Sequence, residues 1–116
     1  MQLNLLVLRC KNIVISKNFY EKLLGLKFIK EQHGKGAVHF SAYVGKTVLE
    51  LYPLTKSEEV ENIRLGFTLE LEDVENHLKE MQIEILSRYE FEGKMVFVVG
   101  DLEGRKIELI REEHTE

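Results

Sequence analysis

Cysteine, proline and long apolar runs are all scarce in this sequence, and each scarcity narrows what the chain can be. A lone cysteine, Cys10, cannot close an intramolecular disulfide, so a reducing cytoplasm is the expected setting. At the end of an apolar stretch it is expected to pack inertly rather than act as a nucleophile. No apolar run approaches the roughly 20 residues that cross a bilayer, so no membrane partner is expected. Met1–Cys10 also lacks the basic start, long apolar stretch and small-residue cleavage site of a signal peptide. Positive charge is in deficit. Sixteen Lys and Arg against 20 Asp and Glu give a formal charge of -4, which disfavours nucleic acid as a main partner. The single proline, Pro53, lies near the middle of the chain.

What remains is an ordinary globular composition, 44% hydrophobic and 31% charged over 116 residues. A chain of this length forms one domain and buries roughly two-thirds of its unfolded surface. Within it one module is written twice. Asn4–Ile13 (NLLVLRCKNI) is answered by Leu65–Val74 (LGFTLELEDV), each an apolar strand leading to Asn or Asp and then to a helical pattern. Each half ends on a similar strand, VLEL at Val48–Leu51 and KIEL at Lys106–Leu109, with Glu50 or Glu108 inside the apolar run. Duplicated modules commonly hold a cleft, so these two glutamates are the first candidates for chemistry.

The pattern predicts a strand over Leu3–Arg9, a helix over Val14–Leu24 capped by Asn12 and stopped at Gly25, then strands over Leu26–Gln32, Ala37–Val44 and Thr47–Tyr52. Gly45-Lys46 reads as a two-residue hairpin loop. The second half predicts a strand over Arg64–Leu71, a helix capped by Asp73 with Val74, Leu78 and Met81 on its apolar face, and strands over Ile83–Tyr89, Lys94–Val99 and Arg105–Arg111. The expected organisation is module one over 1–53, a linker over 54–63 with a helical turn at Ser57–Glu61, module two over 64–111, and a charged tail over 112–116. The fold class is α+β: two tandem βαβββ modules forming a curved, largely antiparallel sheet around a cleft.

Hairpin parity separates two faces. Val38, Phe40, Ala42, Val44, Leu49 and Leu51 form an apolar face expected to lie under the helix; His39, Ser41, Tyr43, Val48, Glu50 and Tyr52 form the other. On Arg64–Leu71, alternation sets Leu65, Phe67, Leu69 and Leu71 opposite Arg64, Gly66, Thr68 and Glu70. Leu3, Leu5 and Val7 alternate with Leu6 and Leu8, so both faces of the first strand are apolar and something is expected to cover each. A partner sheet, a second subunit or an organic ligand would supply such cover, and a homodimer is expected.

Arg9–Phe28 (RCKNIVISKNFYEKLLGLKF) and Gly100–Leu109 (GDLEGRKIEL), with VLELYP at Val48–Pro53, resemble the vicinal oxygen chelate superfamily of glyoxalase, bleomycin-resistance proteins and extradiol dioxygenases. The first segment is similar to its strand-exit and FY-x-x-x-LG helix, the second to its D-P-D-G-N-x-x-E-L closing turn and strand, and together they span essentially the whole chain. In metal-dependent members the resemblance implies a divalent ion held by a His in the first strand and a Glu in the last strand of each module. Glu50 and Glu108 match the carboxylate positions, while the two His positions fall on Leu5 and Gly66. Two carboxylates alone suit Zn, Ni or Fe poorly, so either no cofactor or a weakly held divalent metal is expected.

Candidate roles have plain competitors. Glu50 is a cleft acid, base or metal ligand, or a solvated strand residue; Glu108 is a metal ligand or the partner of Lys106. His39 is diagonal to Glu50, able to act as acid, base or ligand, or makes a cross-strand contact with Tyr52. Arg9 and Arg64 clamp an anionic group or pair with acids. Tyr43 and Tyr52 stack on a planar ligand or stabilise the hairpin; Ser41 and Thr68 would line the ligand face. His33 in the Gln32–Gly36 turn, His77 and His114 are expected at the surface. Three functions follow: a small-molecule-binding protein without the family's metal site, sequestering a planar organic compound as bleomycin-resistance proteins do; a metal-dependent lyase, isomerase or dioxygenase-like enzyme using Glu50 and Glu108; and a non-catalytic subunit or interaction module.

Overall fold

The computed structural model describes residues 1–112. The chain divides into two compact units, the first Met1–Glu61 and the second beginning at Asn62. In the first, β1 (Leu5–Cys10), α1 (Ile13–Leu24), β2 (Ile29–Glu31), β3 (His39–Val44) and β4 (Thr47–Pro53) build a sheet of order β1-β4-β3-β2. In the second, β5 (Arg64–Leu69), α2 (Val74–Glu80), β6 (Ser87–Phe91), β7 (Lys94–Gly100) and β8 (Lys106–Arg111) build a sheet of order β5-β8-β7-β6. Both units are therefore βαβββ, and the fold is α+β. In each sheet the first strand pairs in parallel with the last and the other two pairings are antiparallel.

Local chemistry explains the first crossover. The Asn12 side chain accepts from Val14 N–H and Ile15 N–H at 3.1 Å each, meeting two of the donors that a helix start leaves unpaired. After the 12 residues of α1, Gly25 adopts φ 68°, the left-handed conformation that ends the helix. Tyr20 and Leu23 point inward from α1, and Leu8, Phe40, Ala42, Leu49 and Leu51 are buried on the apolar side of the sheet. Each such leucine contributes about 1.5–3 kcal/mol of transfer free energy. The hairpin register is as parity requires: Val44 faces Thr47, Ala42 faces Leu49 and Ser41 faces Glu50. Cys10 is fully buried, as packing predicts.

Several boundaries differ from the sequence pattern. Strand β2 is confined to Ile29–Glu31 because Phe28 N–H donates to the Glu21 carboxylate at 2.9 Å instead of a ladder carbonyl. The strand expected from Ile83 begins at Ser87, since Ile83 N–H closes the end of α2 on Leu78 O at 2.9 Å. Leu71 lies past the end of β5 and is exposed. Nor is there a helical turn over Ser57–Glu61. The turn starts two residues earlier, with Glu58 N–H donating to Thr55 O at 3.1 Å, and both Thr55 N–H and Thr55 Oγ1–H donate to Glu58 Oε1. Glu58 and Glu61 are drawn to β1 instead of into a helix: Glu58 pairs with Arg9 Nε at 3.2 Å, and Arg9 N–H donates to both Glu61 oxygens at 3.0 Å. His114 lies outside the described residues.

The turn from β7 to β8 has no counterpart in the first unit. Asp101 Oδ1 accepts from the Glu103 and Arg105 backbone N–H groups at 2.9 Å, and Oδ2 pairs with Arg105 Nη1 at 2.9 Å. Both side chains are 1% exposed. Removing one member of a buried pair strands the other's charge. Asp101→Ala is therefore expected to destabilise by about 3–5 kcal/mol, read as a lower urea midpoint. Glu75→Gln, at the exposed Arg88–Glu75 pair, is expected to cost at most about 1 kcal/mol.

The Thr55 hydrogen bonds, and secondarily the Arg9 charge, hold the Glu58 carboxyl below the usual carboxylate range. A carboxylate depressed in the folded state stabilises it above the unfolded value, and that contribution is lost as pH falls through the folded one. Carbon-detected NMR should show a Glu58 midpoint below that of the exposed glutamates in wild type. In Thr55→Val it should move up toward the ordinary value.

Candidate functional site

The open face of the first sheet collects the polar residues that alternation expels from the core. Cα partners Val7, Glu50 and Ser41 lie across β1, β4 and β3 in one row. The neighbouring row pairs Glu31 on β2 with His39 on β3, which places both on this same face. His39 is only 1% exposed. Its ring stacks on Tyr52 at 4.2 Å and 9°, and the tilted His33 ring lies 5.1 Å away. The Tyr52 ring also carries the Arg9 guanidinium 5.2 Å from its centroid. Tyr43 is 73% exposed on the same face, so it is open to stacking by whatever meets that face.

His39 Nδ1 lies 3.1 Å from Ala37 O. A carbonyl only accepts, so Nδ1 carries the proton and Nε2 turns outward. There it meets Tyr52 Oη at 3.4 Å, Glu50 Oε2 at 3.5 Å and Glu31 Oε1 at 3.7 Å. An imidazole nitrogen set beside two carboxylate oxygens needs something electropositive between them: its own proton, the tyrosine hydroxyl hydrogen or a cation. Of the two readings of His39, the cross-strand contact with Tyr52 is present, and it sets the ring beside Glu50. The space around Nε2 can accept a proton from, or offer an acceptor to, a molecule laid on the face.

The corresponding position of the second unit is differently engaged. Glu108 lies opposite Gly66 in the β5–β8 register. Its Oε2 accepts from Arg64 Nε at 2.6 Å, and Oε1 accepts a short hydrogen bond from Tyr89 Oη–H. The cation on Glu108 is therefore Arg64, which meets an acid rather than standing open as an anion clamp. Arg9, by its pairing with Glu58, does likewise. Thr68 is exposed on β5 opposite Ile110.

At the four positions where the family resemblance implies metal ligands, Leu5 and Gly66 offer no donor atom and Glu108 is already neutralised. Glu50 alone does not hold a divalent ion, so this donor set does not fit one. A different donor group gathers beside it: Glu31, His33 and His39 each offer an atom within 4.8 Å of the others. Periodicity treats His33 as a surface turn residue and does not single out Glu31. The signal was an E-x-H segment entering a glycine turn with a second histidine on the return strand. A groove of about 860 Å³ lies in the second unit beside α2, lined by Glu75, Arg88, Met95 and Phe97 among others, and holds none of the expected site residues.

The family model for the Glyoxalase/Bleomycin resistance protein/Dioxygenase superfamily matches residues 2–109. Among solved structures, an integron cassette protein from the mobile metagenome of V. cholerae is 23% identical, with 97% of this chain and 96% of that chain covered and a TM-score of 0.77. The glyoxalase family protein from Enterococcus faecalis is 25% identical, covering 94% of this chain and 96% of its own at a TM-score of 0.70. Lactoylglutathione lyase from Agrobacterium tumefaciens shares the fold at 12% identity, 95% and 92% coverage and a TM-score of 0.73. No curated protein matches the chain at comparable significance. The duplicated βαβββ unit, its closing-strand glutamates and the match along nearly the whole sequence lead to one assignment: the chain belongs to the glyoxalase/bleomycin resistance protein/dioxygenase superfamily.

Proposed function

We propose that this protein binds a small planar organic molecule on the open face of its first sheet, without the family's metal centre. The observation that carries this reading is the stack of buried His39 on half-buried Tyr52, set beside Glu50, which is 16% exposed. Burying an imidazole and a carboxylate against each other costs desolvation, and stability alone gives little reason to keep them. As binding groups they make sense: Glu50 and His39 Nε2 accept hydrogen bonds from a ligand, Ser41 adds a hydroxyl, and Tyr43 offers a ring for stacking. The ligand this chemistry selects is flat and carries hydrogen-bond donors or positive charge. Arg9 serves by bracing Tyr52. Arg64 and Thr68 offer comparable polar groups on the second sheet.

An acid–base reaction on the bound molecule is the second reading, favoured by the 3.5 Å approach of His39 Nε2 to Glu50. Among the described residues no helix is long and apolar enough to cross a membrane, in keeping with a ligand taken from water.

The test is an NMR titration with a panel of planar aromatic amines and amidines in the presence of EDTA. Expected are shift changes confined to β1, β3 and β4, with Glu50→Gln or Tyr52→Ala weakening binding at least about tenfold, or 1.4 kcal/mol. Binding elsewhere, or none across the panel, would sink the proposal. Turnover of a bound compound that disappears in Glu50→Gln would establish the second reading.

A homodimer is proposed on separate grounds. Leu5, Ile29 and Tyr43 are 52%, 67% and 73% exposed on this one face, an unusual run of large apolar groups to leave in water. Light scattering at micromolar concentration should return twice the chain mass, and Tyr43→Glu should return the monomer.

A further inference from the structure

We propose that Glu31, His33 and His39 form a binding site for a divalent transition-metal ion, zinc being the best match, displaced from the positions at which the superfamily holds its metal. The inference does not rest on the organic-ligand reading.

The argument starts from register. Glu31 and His39 are direct cross-strand partners on β2 and β3, and His33 lies two residues beyond Glu31. Alternation brings Glu31 and His39 to one side of the strand pair, and His33, past the end of β2, meets them there with its ring 5.1 Å from that of His39. The turn between them is built to hold that arrangement. Gly36 N–H donates to His33 O at 2.9 Å, Gln32 Nε2–H donates to Gly36 O at 2.9 Å, and Gly34 takes φ 59°. A Cβ at Gly36 would lie 3.0 Å from His33 O, so the glycine permits the close approach that fixes the His33 backbone.

One donor is already oriented by a second contact. The contact from His39 Nδ1–H to Ala37 O leaves Nε2 as the ligating nitrogen, the outer-shell arrangement that commonly orients metal-bound histidines. Nε2 and Glu31 Oε1 are 3.7 Å apart, close to the edge of about 3.4 Å in a tetrahedron with bonds of 2.0–2.1 Å. His33 is exposed and closes the remaining distance by side-chain rotation. Glu50 Oε2, 3.5 Å from the same nitrogen, flanks the ion with negative charge. Two imidazoles and a carboxylate select zinc or a neighbouring first-row metal over magnesium or calcium, which take oxygen ligands. Three protein donors leave a coordination position for water or ligand, on the face that carries Glu50.

The test is calorimetric titration of EDTA-stripped, buffer-exchanged protein with zinc chloride near neutral pH. One ion per chain is expected. His33→Ala and Glu31→Gln should each weaken binding at least about tenfold, the lower end of the loss seen when even an outer-shell partner is removed. His77→Ala, on α2, should leave the affinity as it is. Affinity should weaken as the pH is lowered, because the imidazoles must shed their protons to ligate. Histidine NMR should show zinc-dependent shifts of the His33 and His39 rings. His33 is exposed, so its variant keeps the fold, and circular dichroism confirms this for both. Absence of stoichiometric binding in wild type would overturn the proposal. So would binding indifferent to both variants, or binding lost only in Glu108→Gln, which would put the ion on the family's carboxylates instead.

Discussion

Parallel pairing of β1 with β4, and of β5 with β8, sets Val7 opposite Glu50 and Gly66 opposite Glu108. Each pairing joins strands from opposite ends of its unit, so the chain must cross over between them, and α1 or α2 is part of that crossover. Because strand side chains alternate, this register also settles which residues meet the helix and which meet the open face. Slipping it by one residue would put Glu50 under α1 and Leu49 in the site. The apolar row from Leu6 to Leu51 is what penalises that slip. The position of the chemistry is therefore a consequence of core packing.

The two units share this constraint and have diverged in what they place on it. In the first, Glu50 faces an imidazole held between Tyr52 and His33, and two carboxylates, Glu31 and Glu50, approach its Nε2. In the second, Glu108 is saturated by Arg64 and Tyr89. An equivalent backbone position is thus electron-rich in one unit and neutralised in the other, which fits a ligand or cation at the first and a structural ion pair at the second. The turns have diverged too: Gly45-Lys46 needs only a glycine with φ 59°, whereas the β7–β8 turn is organised around the buried Asp101–Arg105 pair.

The superfamily is known for metal chemistry, yet Leu5 and Gly66 deny this chain the usual ligands. The Glu31–His33–His39 group offers nitrogen donors at a neighbouring place on the first sheet. Glu50 and the Glu31–His39 pair lie on one face of the first sheet and are presented there by the same alternation.

Much of this was legible beforehand for identifiable reasons. The module repeat, the Asn12 and Asp73 caps, the Gly25 stop and the hairpin parity follow from interactions between residues close in sequence, and those determine βαβββ twice over. The sequence by itself also set Leu5 and Gly66 where ligands would be expected, since residue identity needs no coordinates. Side-chain contacts that no local pattern signals came only with the folded chain: Arg64 on Glu108, Glu58 and Glu61 on Arg9, and Glu21 on the Phe28 N–H that shortens β2. Gathering Glu31, His33 and His39 belongs to the same class. It depends on where β2 begins and how the glycine turn folds back, and both are fixed by the bonds of Phe28, Gln32 and Gly36 rather than by periodicity.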